Sequence, residues 1–389
     1  MHRMLSRPRG WPSGCEGRSA RPAHASSTSE NPGQLPRLSD PHPLPSSLAR
    51  LPVPACAWRA GKRRQTGQAG GRPPGYPANG GGVGEGMVGG DGPPMAVTFV
   101  VNPLAGGGRA PRVLAELNRR QREIGKALGE SIEIRMTMAP GHGELLARQA
   151  ADAGSRIVVA VGGDGLIHEV VNGLQGSQAT LGIVPAGSGN DIVRALGIPM
   201  SPARAVEVLC KGCVRQIDLG RIGDRCFVGF AGMGLDALSV SLARQSCAPL
   251  KGRLLYAWGV LRAIRRYRPL AMALDAEGRQ ISGRGWILVA ANTPNFGGGM
   301  VIAPEARLDD GLLDMNVLLD VSRVEFLSLF LRVLIKRPIT DPRLKRFQAK
   351  SARITGDPAL LIQADGEILG HPPAEIRVMP RALPVITPG

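Results

Sequence analysis

Three glycine-rich segments, each placed directly after a short apolar run, constrain this chain more than any other feature of its sequence. They occupy residues 102–108, 162–168 and 185–191 and read NPLAGGG, GGDGLIH and PAGSGND. An amphipathic stretch follows each of them, which is the pattern of a parallel sheet whose strands alternate with helices. The carboxyl ends of parallel strands meet at one edge of a sheet, so we expect the three turns to converge there.

Convergent glycine turns predict a phosphate-binding site. Glycine permits positive φ and lets the backbone approach phosphate oxygens without a Cβ in the way. Helices that begin just after the turns direct their amide donors at the same anion. One such turn is weak evidence because tight strand–helix connections need glycine anyway. Three of them, two bearing the carboxylates Asp164 and Asp191, predict a nucleotide site.

Composition and the spacing of apolar residues divide the chain into three parts. Residues 1–94 are rich in Pro, Gly, Arg and Ser and lack periodicity, which predicts a disordered tail, or a start that truly lies at Met95. Residues 95–222 are predicted to form the nucleotide-binding α/β domain. Residues 223–389 carry shorter strand-like segments, which predict a mainly antiparallel β-sandwich domain. Its last strand is a candidate to return to the first domain.

Local patterns place the main elements. The first domain is expected to contain four strands, at Val97–Val101, Ile132–Met138, Ile157–Val161 and Leu181–Val184. In the second domain helices are predicted at Leu254–Arg266 and Ser322–Ile335, among seven short strands.

The net charge of +17 does not by itself predict a nucleic-acid partner. The excess is spread along the chain except for clusters such as residues 262–268 (RAIRRYR), and no aromatic platforms or RNA-binding signatures accompany it. Anionic lipid or nucleotide phosphates explain the charge at least as well. No apolar run reaches the roughly 20 residues of a membrane span. The six cysteines lack disulfide-framework spacing, which predicts a reducing, cytoplasmic location.

The three turns resemble those of the diacylglycerol kinase catalytic family, to which sphingosine kinases are related. That family has NPxSGxG, GGDGTxxEVxNGL and GTGND motifs in this order. Similarity continues through residues 292–299 (NTPNFGGG), 308–314 (LDDGLLD) and 365–367 (DGE), and so covers nearly everything after Met95. The resemblance implies a phosphofructokinase-like α/β domain, a β-sandwich domain, and ATP bound in the cleft between them.

The resemblance also implies roles for individual residues. Glu367 matches the general base, with Asp164 near the reacting centre, and the sequence does not divide the roles of base and metal partner between them. A magnesium site would use the Asp310 carboxylate with the backbone carbonyls of Arg307 and Leu312. The residues implied to contact the nucleotide are Asn102, Pro103, Ala105, Gly106, Thr137, Gly162, Gly163, Asp164, Gly165, Leu166, Ile167, His168, Glu169, Gly187, Ser188, Gly189 and Asn190.

Several alternatives stay open at this stage. Leu166 stands where most bacterial members have Thr, and the resulting Leu-x-His-Glu variant resembles the sphingosine kinase version, which favours a long-chain base as acceptor. Glu169 lies off the apolar stripe of its helix and either compensates the helix dipole or holds the phosphate loop. An NAD kinase-like enzyme and an inactive lipid-binding regulator are the competing functions. The expected partners are a lipid substrate at the membrane surface, an anionic membrane contacted peripherally, and a second copy in a homodimer.

Overall fold

The computed structural model describes residues 96–107, 109–244, 253–334 and 341–389. The predicted tail at 1–94 lies outside them. The first domain is built on four parallel strands in the order β2–β1–β3–β4. The strands are β1 (Ala96–Val101), β2 (Ser131–Met136), β3 (Ile157–Gly162) and β4 (Thr180–Pro185). Every residue of β3 is buried, which explains why its sequence, IVVAVG, is apolar without alternation.

Helices cover both faces of this parallel sheet. They are α1 (Ala110–Leu128), α2 (His142–Asp152), α3 (Asp164–Gly173), α4 (Asp191–Ala195) and α5 (Pro202–Lys211), and a short 3₁₀ turn spans Ala105–Gly107. One face packs mainly against α1 and α5, and the other against α2, α3 and α4. The alternation of strand and helix therefore produces the parallel sheet that the sequence predicts, with helices on both of its faces.

The second domain is antiparallel and rich in strands. The strand β5 (Cys213–Ile222) leads into this domain, whose own strands are β6 (Arg225–Phe227), β7 (Phe230–Gly234), β8 (Leu270–Ala276), β9 (Arg279–Ala291), β10 (Asn295–Phe296), β11 (Met300–Val301), β12 (Leu313–Leu319), β13 (Leu344–Ala349), β14 (Ser351–Gly356), β15 (Ile362–Ala364), β16 (Glu367–Gly370) and β17 (Ala374–Thr387). Its helices are α6 (Leu235–Arg244), α7 (Arg253–Arg266) and α8 (Arg323–Leu334). The predicted α/β fold with a parallel-sheet domain and an antiparallel domain is confirmed.

An aromatic stack anchors the core of the second domain. The Trp286 ring stacks on Phe326 with centroids 4.4 Å apart, and its Nε1–H donates to the Val321 carbonyl at 2.7 Å. Trp286 is fully buried, so this hydrogen bond satisfies the one polar atom of the ring. The stack fixes α8 against the sheet.

The two domains share one strand. β17 pairs antiparallel with β14 and β5, and near its end Val385 pairs parallel with Leu181 of β4. A single continuous sheet thus runs from the second domain into the first. Among the described residues, no helix has both the length and the apolar composition needed to cross a membrane.

Candidate active site

The three glycine turns meet at one edge of the parallel sheet. Gly106 has φ of +62°, and a Cβ at this position would lie 2.1 Å from the Ala186 carbonyl oxygen. Gly163 and Gly187 face each other, since a Cβ on Gly187 would lie 2.4 Å from the Gly163 Cα. These glycines are therefore required by the close approach of the turns, and their backbone forms a shallow cradle without side chains.

Polar side chains shape the first and third turns. Asn102 accepts the Leu104 N–H on Oδ1 at 2.9 Å, which holds the first turn. Asn190, at φ of 57°, donates from Nδ2 to the Gly187 carbonyl at 3.0 Å. Its Oδ1 is buried and has no partner within the described part of the chain, so it can accept a hydrogen bond from a bound ligand. Thr137 lies at the same edge, because its N–H donates to the Val101 carbonyl at 2.8 Å.

The second turn contributes mainly backbone. The side chains of Leu166 and Ile167 are buried in the core, so only their amides could contact a phosphate. The Ile167 N–H already donates to the Gly163 carbonyl at 3.1 Å. The amides of Gly165 and Leu166, in the first turn of α3, are therefore the better placed of these donors.

Glu169 holds a neighbouring loop. Its two carboxylate oxygens accept the N–H groups of Gly141 and Gly143 at 2.9 and 2.8 Å. These amides lie at the start of α2, just after the segment that contains Thr137. Glu169 therefore caps the start of α2, which is neither of the two roles considered, since these amides do not belong to the phosphate loop.

A cleft of about 360 Å³ opens beside the turns and is lined by both domains. Three carboxylates face it, from Asp164, Asp191 and Asp365. Asp365 accepts the N–H groups of three successive residues, 228–230, at 2.7 to 3.0 Å. Asp191 accepts the Gly298 N–H at 2.6 Å and pairs with Arg194 at 2.8 Å. Both of these carboxylates thus fix loops around the cleft.

Asp164 is the cleft carboxylate whose charge is least compensated. It stands at the start of α3 and accepts the Ile192 N–H on Oδ1 at 3.1 Å. Burial, with the nearby negative charge of Asp191, raises the pKa of Asp164 to about 6, although the backbone N–H groups of Ile192 and Asp191 oppose this rise. A carboxylate with this pKa is suited to accept a proton near neutral pH.

His168 does not face the cradle, but joins the two domains. Its Nε2 lies 2.9 Å from Glu367 Oε2, and its Nδ1 lies 3.4 Å from Asp365 Oδ2. Burial alone would lower the pKa of His168, but the hydrogen bonds and charges of Asp365 and Glu367 outweigh it and raise the pKa to about 9. His168 is thus a buried imidazolium between two carboxylates.

Glu367 is held by two cations. Besides His168, Arg225 approaches Glu367 Oε2 at 3.2 Å and bonds Glu144 of α2 at 2.7 Å. The His168 hydrogen bond, together with the charges of His168 and Arg225, lowers the pKa of Glu367 to about 2 against the opposing effect of burial. Glu367 is not among the residues that line the cleft.

Asp310, which the resemblance implies as a magnesium ligand, has an exposed carboxylate. Asp310 accepts the Leu312 N–H on Oδ1 at 3.0 Å, and its Oδ2 lies 3.5 Å from the Gln348 amide nitrogen. In the described ranges no group of three His, Cys, Asp or Glu side chains is arranged to hold a metal ion. A magnesium site formed by the Asp310 carboxylate with the carbonyls of Arg307 and Leu312 stays a prediction.

Sequence reasoning gave Arg225 and Asp365 no role in the site, and it noted Asp191 on the third turn without assigning it one. Asp191 and Asp365 lie inside the GSGND and DGE motifs, so the signal was present. Arg225 belongs to no motif, and nothing in the sequence marks it.

Comparison with known proteins agrees with this architecture. Residues 96–222 match the family model of the diacylglycerol kinase catalytic domain, and residues 229–387 match that of the YegS C-terminal NAD kinase beta sandwich-like domain. A diacylglycerol kinase of Mycobacterium tuberculosis (strain ATCC 25618 / H37Rv) is 32% identical over 304 residues, which are 75% of this chain and 95% of that protein.

The chain belongs to the diacylglycerol kinase family. A Chromohalobacter salexigens protein named "Probable lipid kinase YegS-like" is 30% identical over 284 residues, 70% of this chain and 90% of that protein. The crystal structure of a diacylglycerol kinase from Bacillus anthracis str. Sterne shares the fold, with a TM-score of 0.60 and 21% identity over 76% of this chain and 98% of that one. The chain is therefore a kinase of the lipid kinase type, and its family implies ATP as phosphate donor.

Proposed function

We propose that this kinase transfers the γ-phosphate of ATP to a hydroxyl group of diacylglycerol, with Asp164 as the general base. The observation that carries the proposal is the interdomain cleft, in which Asp164 faces the glycine cradle on one side and the second domain on the other. The relatives named diacylglycerol kinase support the choice of acceptor.

The cradle would bind the ATP phosphates through backbone amides and the start of α3. Phosphoryl transfer requires positioning and charge neutralisation rather than covalent help from the protein. ATP would arrive with Mg²⁺, which neutralises phosphate charge, and Asp191 is the cleft carboxylate best placed to supply a ligand beside those phosphates. Asp164 would take the proton of the lipid hydroxyl as its oxygen attacks the γ-phosphorus and the bond to ADP breaks.

We assign the lipid chains to a separate place in the second domain. An apolar cavity lies beneath α7 and α8 and is lined by aliphatic and aromatic side chains. Phe296 lines this cavity, Phe230 lines the cleft, and their rings contact edge to face with centroids 5.1 Å apart. The ring pair thus separates the two spaces, so a lipid with its hydroxyl in the cleft would have to displace these rings for its chains to enter the cavity.

A sphingoid base is the second candidate acceptor. Asp236 is a buried carboxylate that lines the apolar cavity and accepts the Gln363 amide at 2.6 Å. The Leu-x-His-Glu variant of the second turn favours this acceptor, since it resembles the sphingosine kinase version. The names of the relatives favour diacylglycerol, so the two acceptors have to be compared directly.

The alternatives have less support. The relatives are named as lipid kinases, and no observation favours an NAD kinase-like activity. The carboxylates in the cleft argue against an inactive regulator. Homodimer formation, cytoplasmic location and membrane contact remain predictions from the sequence.

The test is a radiolabelled-ATP assay with dioleoylglycerol, sphingosine, ceramide, phosphatidylglycerol and undecaprenol in neutral detergent micelles. Asp164→Asn should lower kcat by about 10²–10⁴-fold, as expected for loss of a general base. Glu367→Gln should lower kcat by less than about 10-fold, because a carboxylate with a pKa of about 2 accepts protons poorly. The reverse order of the two effects would assign the base role to Glu367. Phosphorylation of none of the lipids would refute the proposal.

A further inference from the structure

Helix α7 carries an unusual concentration of uncompensated positive charge. Arg262, Arg265 and Arg266 on the helix, and Arg268 just after it, have no acidic residue between them in the sequence. Within the ranges that the structure describes, none of the four guanidinium groups forms an ion pair with a carboxylate. Elsewhere in the chain many arginines are paired, for example Arg343, so this helix face stands apart.

The opposite face of α7 belongs to the core of the second domain. Val260, Ala263 and Ile264 are buried there, and Val260 also lines the apolar cavity. The cationic helix therefore lies directly over the space that the lipid chains would enter. Arg262 is stacked over the Trp258 ring at 5.0 Å, and an arginine beside a partly buried tryptophan is a side-chain pair suited to a bilayer interface.

Apolar side chains project from the same region. Leu261 of α7 is 47% exposed, and on α8 Val324 is 78% and Leu331 is 49% exposed. Val324 and Leu331 are seven residues apart and so share one face of α8. The start of α8 is joined to the end of α7, since the guanidinium of Arg323 donates to the Tyr267 carbonyl at 3.2 Å. Leu261 and Val324 thus lie beside the arginines at the end of α7, and Leu331 lies further along α8.

We propose that this α7–α8 face, defined by Leu261, Arg262, Arg265, Arg266, Arg268, Val324 and Leu331, docks onto the surface of an anionic lipid bilayer. The inference rests on the proposed function, because docking here would place the apolar cavity next to the acyl chains of the membrane. Charge complementarity selects the occupant: the α7 part of the face is cationic and has no acidic residue, which fits anionic headgroups, and scattered apolar side chains can enter the interface. The phosphates of a nucleic acid would bind the arginines, but they would leave the exposed leucines and valine without an apolar partner.

The test compares two variants with the same loss of charge. Arg265→Gln/Arg266→Gln removes two cations from the face. Arg122→Gln/Lys126→Gln removes two exposed cations from α1 on the other domain and serves as control. Binding is measured by co-sedimentation with vesicles of phosphatidylcholine alone or with one third phosphatidylglycerol, at low and moderate salt.

We expect the face variant to bind phosphatidylglycerol vesicles about 10- to 30-fold more weakly than the parent, from the usual contribution of each basic residue at an anionic surface. The control should bind like the parent, and both variants should phosphorylate lipid in neutral micelles at the parent rate. Equal losses in both variants, or none in the face variant, would overturn the proposal. So would a face variant that loses retention on heparin while its vesicle binding is unchanged. A parent that binds vesicles but phosphorylates no lipid in micelles would refute the proposed function and leave the docking face standing.

Discussion

The buried imidazolium of His168 makes a quantitative prediction about stability and pH. Its pKa rises from 6.5 to about 9 in the folded protein. A rise of about 2.5 pH units corresponds to about 3 kcal/mol of favourable interaction between the protonated ring and its surroundings. Because the pKa is raised, this contribution is fully present below pH 6.5 and is lost as the pH rises through 9. Replacement of His168 by Asn removes the charge and so removes this contribution to the pH dependence of the free energy of unfolding.

We therefore expect the free energy of unfolding of the parent to fall between pH 6.5 and 9 more steeply than that of His168→Asn, by up to about 1.4 kcal/mol per pH unit. The variant should be clearly less stable at pH 6 and close to the parent at pH 10. Urea unfolding followed by tryptophan fluorescence at several pH values measures the difference. His371→Asn is the control, since that exposed ring contacts the Leu360 carbonyl rather than a carboxylate. Parallel pH profiles for the parent and His168→Asn would refute the assignment of an imidazolium between Asp365 and Glu367.

Three further predictions concern other parts of the chain. Gly106→Ala should raise the KM for ATP at least 10-fold, because the added Cβ collides with the Ala186 carbonyl and displaces the first turn; an unchanged KM in a steady-state assay would contradict this. Asp310→Ala should abolish any increase of Tm that Mg²⁺ produces in the parent. If the Tm of the parent changes with neither Mg²⁺ nor a chelator, a cation site at Asp310 is excluded. Removal of residues 1–94 should leave kcat and Tm within experimental error, since the family match begins at residue 96, and loss of most activity would show that this segment contributes.

The sequence predicted the first domain well because its signals are local. β3 is an unbroken apolar run, and its turn begins with glycines that the close packing of Gly163 and Gly187 requires. The strand β5 was missed because its burial follows no simple alternation: the first four residues are largely exposed and the following four are all buried. Pairing with β17, which is remote in sequence, determines that pattern.

The site was predictable only in part, for the same reason. The cradle residues lie in contiguous motifs, whereas His168 and Glu367 are separated by 199 positions. The carboxylates that contact His168 belong to the second domain. Their position depends on how that domain packs against α3, and no local sequence pattern predicts this packing. The pKa values that distinguish Asp164 from Glu367 arise from those remote contacts, so the division of their roles could not be made from sequence.

The strand shared by the two domains has a consequence for how the protein folds. Residues 374–387 supply the strand beside β4, and Leu383 and Val385 pack into the core of the first domain. During synthesis, the nucleotide-binding segment therefore emerges from the ribosome long before the strand that covers its open edge. Such distant pairings slow folding and leave apolar surface and unpaired backbone exposed in the meantime. Residues 96–222 expressed alone should consequently aggregate, and the kinase should fold as one cooperative unit once its final strand is available.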